Sequence, residues 1–328
     1  MLSPLTLTDG GIETDLMFHH GQDLPHFAAF VLLDTEKGRE TLRAYYRPYL
    51  QIARDYGLSL VLETPTWRAS ADWIALLRRP DSDVQRINQQ AVQLLTELRD
   101  GNPDVPLVVS GCIGPRTDGY DASATMDQHQ AQRYHSSQIE ALHDAGADQV
   151  TAMTVAYPAE AIGMVRAAHA AGVPAVISFT VEVDGQLPDG SALDRAIGVV
   201  DQTTDPGPLS YMVNCAHPSH VEAAFGLPPE TDTGEQPTHH PASGTASDHR
   251  GWTARVTGVR ANASPRSHAE LDTATDLDEG NPAQFGAALA RLRATVTSLA
   301  VLGGCCGTDQ RHIREVARAT SRAASPRR

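Results

Sequence analysis

Residues 299–320 read LAVLGGCCGTDQRHIREVARAT, a short apolar run, a glycine-cysteine turn and then an amphipathic helical stretch. This is one β-then-α unit, and the chain repeats it. Working back from this last unit, strands are expected at Leu5–Thr8, Ser59–Glu63, Leu107–Ser110, Gln149–Met153, Ala175–Thr180, Tyr211–Asn214, Arg255–Arg260 and Leu299–Leu302. Helical stretches follow them at Thr35–Tyr56, Ala69–Arg99, Asp127–Ala145, Pro158–Ala171, Leu193–Asp201, Ser219–Phe225, Pro282–Thr297 and Gln310–Thr320. Eight such units in succession predict a single α/β domain, a closed (β/α)8 TIM barrel over 1–320. A doubly wound sheet would want fewer units and a GxGxxG turn after its first strand, and DGGIETD lacks that spacing. Two segments break the rhythm. Residues 228–251 are polar and rich in Pro, Gly and Thr, which reads as a flexible insertion between the sixth helix and seventh strand. The tail 321–328 reads as disordered.

The bulk composition agrees. The chain has 328 residues, more than the ~250 of a typical barrel, which leaves room for insertions. Hydrophobic residues make up 41% and aromatics only 5%, so the core is aliphatic, as suits parallel strands buried on both faces. A net charge of −14 argues against nucleic acid as a partner. No apolar run approaches the ~18 residues of a membrane span, and MLSPLTLTDGG lacks a basic segment followed by an apolar one. Four cysteines, two of them adjacent, do not make a secreted disulfide framework, so a cytoplasmic location is expected.

Three of those cysteines follow predicted strands: Cys215 in YMVNCAHP, and Cys305 and Cys306 in LAVLGGCCGT. Parallel barrel strands all point their C-terminal ends at one face, where active sites of this fold are built, so residues far apart in sequence converge there. Three thiolates at ~2.3 Å with an open fourth position suit a catalytic Zn²⁺. Gly303, Gly304 and Gly307 supply the backbone freedom that two adjacent ligands need. Small apolar packing of each cysteine, or a disulfide between the adjacent pair, are the competing readings. Cys112, in VVSGCIGP, has no Cys or His beside it and reads as structural; His239, His240 and His249 lie in the polar insertion and read as solvated. A zinc bound by three thiolates carries a net negative charge and keeps an incoming thiol as an electron-rich thiolate. Such a sulfur suits attack on a methyl group carried by a cationic sulfur or nitrogen, whereas activation of water favours neutral His ligands.

Taken together, DGGIETDL, ETPTWRAS, SGCIGP, NCAHP, RANAS and GGCCGT, in this order across nearly the whole chain, resemble the homocysteine S-methyltransferase family. The resemblance implies a zinc barrel with Cys215, Cys305 and Cys306 as ligands and the sulfur of homocysteine in the fourth position. It further implies that Asp9 contacts the substrate ammonium, that the Gly10 and Gly11 backbone and Thr64 hold its carboxylate, and that Asn262 braces the site. The partners implied are a small thiol acceptor and a methylated cationic donor such as S-methylmethionine, S-adenosylmethionine or betaine. One position departs: where the family carries a Glu after the fourth strand, this chain reads MTVAYP, with Met153 in its place. Arg68 and Arg260 bring positive charge to other strand ends. Either Glu182 takes over the amine contact or the acceptor is another small thiol. A non-catalytic thiol-binding module and a zinc hydrolase are the rival functions; the hydrolase would show an HxH after the first strand, which is absent. No cobalamin domain is expected after Ala319, so a donor would bind directly or arrive on another protein.

Overall fold

In the computed structural model, which describes residues 4–120, 122–228 and 251–324, eight parallel strands close into a barrel in sequence order. They are β1 (Thr6–Thr8), β2 (Ser59–Glu63), β3 (Leu107–Ile113), β4 (Gln149–Val155), β5 (Ala175–Phe179), β6 (Ser210–Asn214), β7 (Val256–Ala261) and β8 (Val301–Gly304). Closure is made by Thr6 opposite Val301 and Leu7 opposite Leu302. The barrel helices are α1 (Glu36–Tyr56), α2 (Ser82–Asp100), α3 (Gln128–Asp144), α4 (Pro158–Ala171), α5 (Leu193–Thr203), α6 (Pro218–Ala224), α7 (Pro282–Thr295) and α8 (Gln310–Ala324). Among the described residues no helix is long and apolar enough to cross a membrane.

Local signals set the helix ends. The Thr35 side chain accepts from Gly38 N–H at the start of α1, and Gly57, at φ 62°, ends it. In between, Leu42, Tyr45, Tyr46, Tyr49 and Ala53 recur at three- and four-residue spacing and are buried against the barrel. Asp127 and Gln130 form a reciprocal capping box on α3. Pro158 opens α4 and Gly172, at φ 78°, closes it.

Several boundaries shift: β3 runs on to Ile113, which takes Cys112 into the strand, and β4 runs on to Val155. The long helix read over Ala69–Arg99 is two helices, Ala71–Leu76 and α2, because Pro80 follows a left-handed Arg78 (φ 55°) and breaks the pattern. The last helix runs to Ala324 rather than ending at Thr320, since Arg and Ala continue its helical preference. β8 both begins and ends two residues later than read, at Val301 and Gly304, so Cys305 follows it directly. The insertion at 228–251, with His239, His240 and His249, lies outside the described residues apart from its two ends.

The helix-facing side of the strands is aliphatic, with Leu7, Leu60, Leu62 and Val109 fully buried. Inside, toward the C-terminal ends, the barrel is polar. Ser110 and Thr151 share a 2.7 Å hydrogen bond, and Glu63, Asn214 and Arg260 are buried at this level. A core that carries charge there calls for a function, because burying charge costs free energy that packing alone does not require.

Candidate active site

The C-terminal mouth of the barrel holds an inner cavity whose walls include Asp9, Gly10, Gly11, Glu13, Glu63, Thr64, Met153, Thr154, Asn214, Arg260 and all three strand-end cysteines. The sulfurs of Cys215, Cys305 and Cys306 lie within 4.8 Å of one another. Cys215 and Cys305 are joined as a disulfide, with their Cα atoms 5.4 Å apart, and Cys306 Sγ is 3.9 Å from Cys215 Sγ. A disulfide offers no thiolate, so any metal-holding form of this cluster has that bond reduced.

The backbone around the cluster is tightly determined. Cys215 has φ 53°, an uncommon conformation for a residue with a side chain, and is held by its N–H to Arg260 O (3.1 Å) and by Asn262 Nδ2 donating to its carbonyl (3.1 Å). Of the three glycines near the cysteine pair only Gly307 is left-handed (φ 76°). Gly303 and Gly304 serve close approach instead: a Cβ on either would collide with the hydroxyl of Thr8 or Thr308. Asn214, just before Cys215, is a hub. Its Oδ1 accepts from Thr154 N–H (2.9 Å) and Ser178 Oγ (2.7 Å), while its Nδ2 donates to Thr154 Oγ1 (2.9 Å) and points at Cys305 Sγ at 4.0 Å. It thus ties the ends of β4, β5 and β6 to the sulfur cluster, and holds Thr154 at φ 62°.

The floor of the cavity is an ionic layer. Arg260 Nη2 lies 2.7 Å from Asp9 Oδ1 and donates to Gly10 O, and its Nε donates to Gly304 O. Its Nη1 is 3.9 Å from Glu63 Oε1 and, though buried, has no hydrogen-bond partner; neither does Glu63 Oε2. Tyr45 OH donates to the other Asp9 oxygen. Burial pushes the Asp9 carboxyl above its ordinary range, against the pull of Arg260. Burial likewise pushes Glu63 and Glu13 up to about 7, and burial and Glu13 push the Cys306 thiol up to about 12.

Of the residues singled out in the sequence, Asp9, Gly10, Gly11, Thr64 and the three cysteines meet at this cavity. Asn262 sits beside it and braces Cys215. Glu182 lines neither the cavity nor the chamber outside it. Beyond β5 the chain makes a tight turn in which Glu182 N–H donates to Gln186 O and Gly185 N–H to Glu182 O. Thr64 is present but committed. Its hydroxyl accepts from Cys112 N–H, and its proton goes to Thr66, whose own proton is given to Cys112 O. Cys112, read as structural, is buried and forms part of the cavity wall. Sequence reasoning missed Glu13, Glu63 and Asn214; the last two stand at predicted strand ends, where the barrel rule could have flagged them.

Such a centre, three sulfurs beside a buried acidic cavity at the C-terminal face of a (β/α)8 barrel, lies where enzymes of this fold build their active sites. More specifically, the sequence profile described as homocysteine S-methyltransferase matches residues 6–320, and the chain belongs to that family; it is a methyltransferase. Solved structures agree on the fold. The Escherichia coli homocysteine methyltransferase MmuM in its metallated form superposes with a TM-score of 0.68 at 20% identity, over 98% of this chain and 96% of that one. Its oxidized form gives 0.69 at 21% identity, over 96% of this chain and 95% of that one. A search of curated proteins finds no match.

Proposed function

We propose that this protein methylates the sulfur of a small thiol, homocysteine in the first instance, using a zinc ion held by Cys215, Cys305 and Cys306. The observation that carries the reading is the convergence of three sulfurs on one wall of an acid-lined cavity. The donor set fits the ion: three thiolates from two strand ends, with the cavity on the remaining side. Bound there, zinc would favour the thiolate form of an acceptor thiol over the thiol. The acceptor sulfur, its proton lost to bulk water, then attacks the methyl carbon of a cationic donor. A sulfur–carbon bond forms, the bond from methyl to the donor's sulfur or nitrogen breaks, and its electron pair stays with the donor, which leaves neutral.

The chain's own residues would position the acceptor. Asp9, Glu13 and Glu63 outnumber the single guanidinium of Arg260 on the cavity wall, and this excess of carboxylate suits an ammonium group. Glu63 stands in for the carboxylate missing at Met153, since Glu63 Oε2 is buried without a partner whereas Glu182 is outside the cavity. The substrate carboxylate falls to the Gly10 N–H and to Arg260 Nη1, because the Thr64 proton is already spent and the Gly11 N–H donates to Thr308 O. Asn262 braces Cys215 rather than touching the acceptor.

A specific observation favours a second acceptor class. Arg260 Nη1 is buried without a hydrogen-bond partner, so a thiol with a carboxylate and no ammonium would also find a partner here. A donor-by-acceptor matrix on the reduced, zinc-loaded protein decides: homocysteine, 4-mercaptobutyrate and 3-mercaptopropylamine against S-methylmethionine, S-adenosylmethionine and betaine. Turnover of homocysteine well above 4-mercaptobutyrate supports the reading. Absence of methyl transfer to any thiol in the absence of a partner protein would return the chain to a thiol-binding role.

A further inference from the structure

Outside the inner cavity lies a second chamber of about 380 Å³ that shares Glu13, Trp67, Tyr120 and Cys306 with it. The sulfur cluster therefore forms part of the wall between two compartments, as a transfer between two substrates requires. The outer chamber is acidic: Glu13, Asp118, Asp272, Asp276 and Asp278 line it. His268, stacked on Tyr120 with ring centres 3.6 Å apart, adds no positive charge near neutral pH, because burial lowers its pKa to about 4.

Within this acidic chamber one cation is built in. Arg68 is only 7% exposed, and its guanidinium is sandwiched between Trp67 and Trp73, 3.8 and 3.7 Å from the two ring centres. Its Nη1 donates to Thr117 O, but its Nε is buried with no hydrogen-bond partner, and among the described residues it makes no salt bridge. The aspartates nearby are occupied otherwise: Asp118 accepts from Tyr120 N–H, and Asp278 from Ser264 Oγ and Gly280 N–H. Thr117 O, the two indole faces and the more distant charges of Asp118 and Glu13 offset only part of its lost hydration, and burial still pushes its pKa down to about 10, so a buried guanidinium without an ion pair is a poor structural device. It is a good anion site, because the ring faces fix its plane and leave donors at its edge.

We propose that Arg68 is the residue by which this chain holds its methyl donor: with the donor's sulfonium or ammonium against the acidic wall beside Cys306, the carboxylate of the same molecule pairs with the Arg68 guanidinium. This rests on the methyl-transfer reading for which reaction occurs, but the binding claim is separable from it. The donor's positive charge disappears on transfer, so the acidic wall holds the donor more tightly than the demethylated product, while Arg68 holds both alike. Arg68 is thus a binding residue whose loss raises the donor KM without a matching fall in kcat.

The experiment uses the full-length, reduced, zinc-loaded protein and three probes, S-methylmethionine, dimethylsulfoniopropionate and glycine betaine, each paired with its methyl ester. Binding is measured by calorimetry, and transfer to homocysteine in parallel. For at least one pair the acid should bind at least tenfold more tightly than the ester. In Arg68→Met that acid should fall to the level of its ester, with the KM for homocysteine unchanged; Arg68→Lys should fall between. The acid–ester comparison in the unaltered protein needs no variant, so a poorly folding Arg68→Met does not block the test. Equal binding of acid and ester in every pair, no binding by any pair, or an undiminished preference in a folded Arg68→Met would each overturn the assignment. Acid-selective binding without transfer to any thiol would uphold the site and reject the reaction.

Discussion

The guanidinium of Arg260 lies 2.7 Å from Asp9 Oδ1 in the interior of the barrel, with both side chains almost wholly buried. Burial works against the charge on Arg260, yet Asp9 and Glu63 together hold its pKa above the usual value. The pair spans β7 and the end of β1, so it locks the cavity floor as well as setting its charge.

Breaking that pair should be costly. Arg260→Met leaves Asp9 buried without its counter-charge, and loss of one partner of a buried ion pair typically costs about 3–5 kcal/mol. Denaturant unfolding should show a loss of this order, and Arg260→Met/Asp9→Asn should recover part of it. A single variant as stable as the parent would mean that water or another cation reaches Asp9.

Glu63 is expected to carry the amine contact. A charge-assisted hydrogen bond is worth about 1.5–3 kcal/mol, or roughly ten- to hundredfold in affinity. Glu63→Gln should raise the KM for homocysteine by that factor and leave 4-mercaptobutyrate unaffected. Glu182→Gln should change neither, since Glu182 lies outside the cavity. The reverse pattern in steady-state kinetics would restore Glu182 to the site.

Titration of the same carboxyl gives a stability signature. Burial raises Glu63 from an ordinary 4.5 to about 7, so between these values the folded protein holds a proton that the unfolded chain has released. Stability contributed by that proton is complete at acid pH, falls as pH rises through this window, and levels off above it. Glu63→Gln cannot lose the proton, so its melting temperature should decline less than the parent's from pH 5 to 7.5. Parallel declines, measured without substrate, would show Glu63 to be ionised throughout.

Much of the fold was legible because its signals are local and repeated. Eight apolar runs, each followed by a helical stretch, leave little choice but a barrel, and the cysteine turn after Gly304 marks where its active face begins. The cysteines were legible for the same reason: strand-end position is enough to bring Cys215 to Cys305 and Cys306. What stayed hidden depends on side chains crossing the barrel. Nothing local to Arg260 says that it reaches Asp9 at the other end of the chain. Sequence reasoning chose Glu182, on the loop after the fifth strand, and overlooked Glu63 at the end of the second, yet of the two only Glu63 lines the cavity. The proton chain from Thr64 through Thr66 to Cys112 O likewise joins β2 to β3 and has no sequence signature.

The central claim is that Cys215, Cys305 and Cys306 hold one zinc ion at the barrel mouth, and metal content tests it most directly. Protein purified under reducing conditions without chelator, and its Cys215→Ser, Cys305→Ser and Cys306→Ser variants, should be compared by elemental analysis, with circular dichroism to confirm folding. The account predicts close to one zinc per chain in the parent and a large loss in each folded variant. Zinc retained in full by all three variants, or absent from the reduced parent even after zinc is supplied, would contradict it.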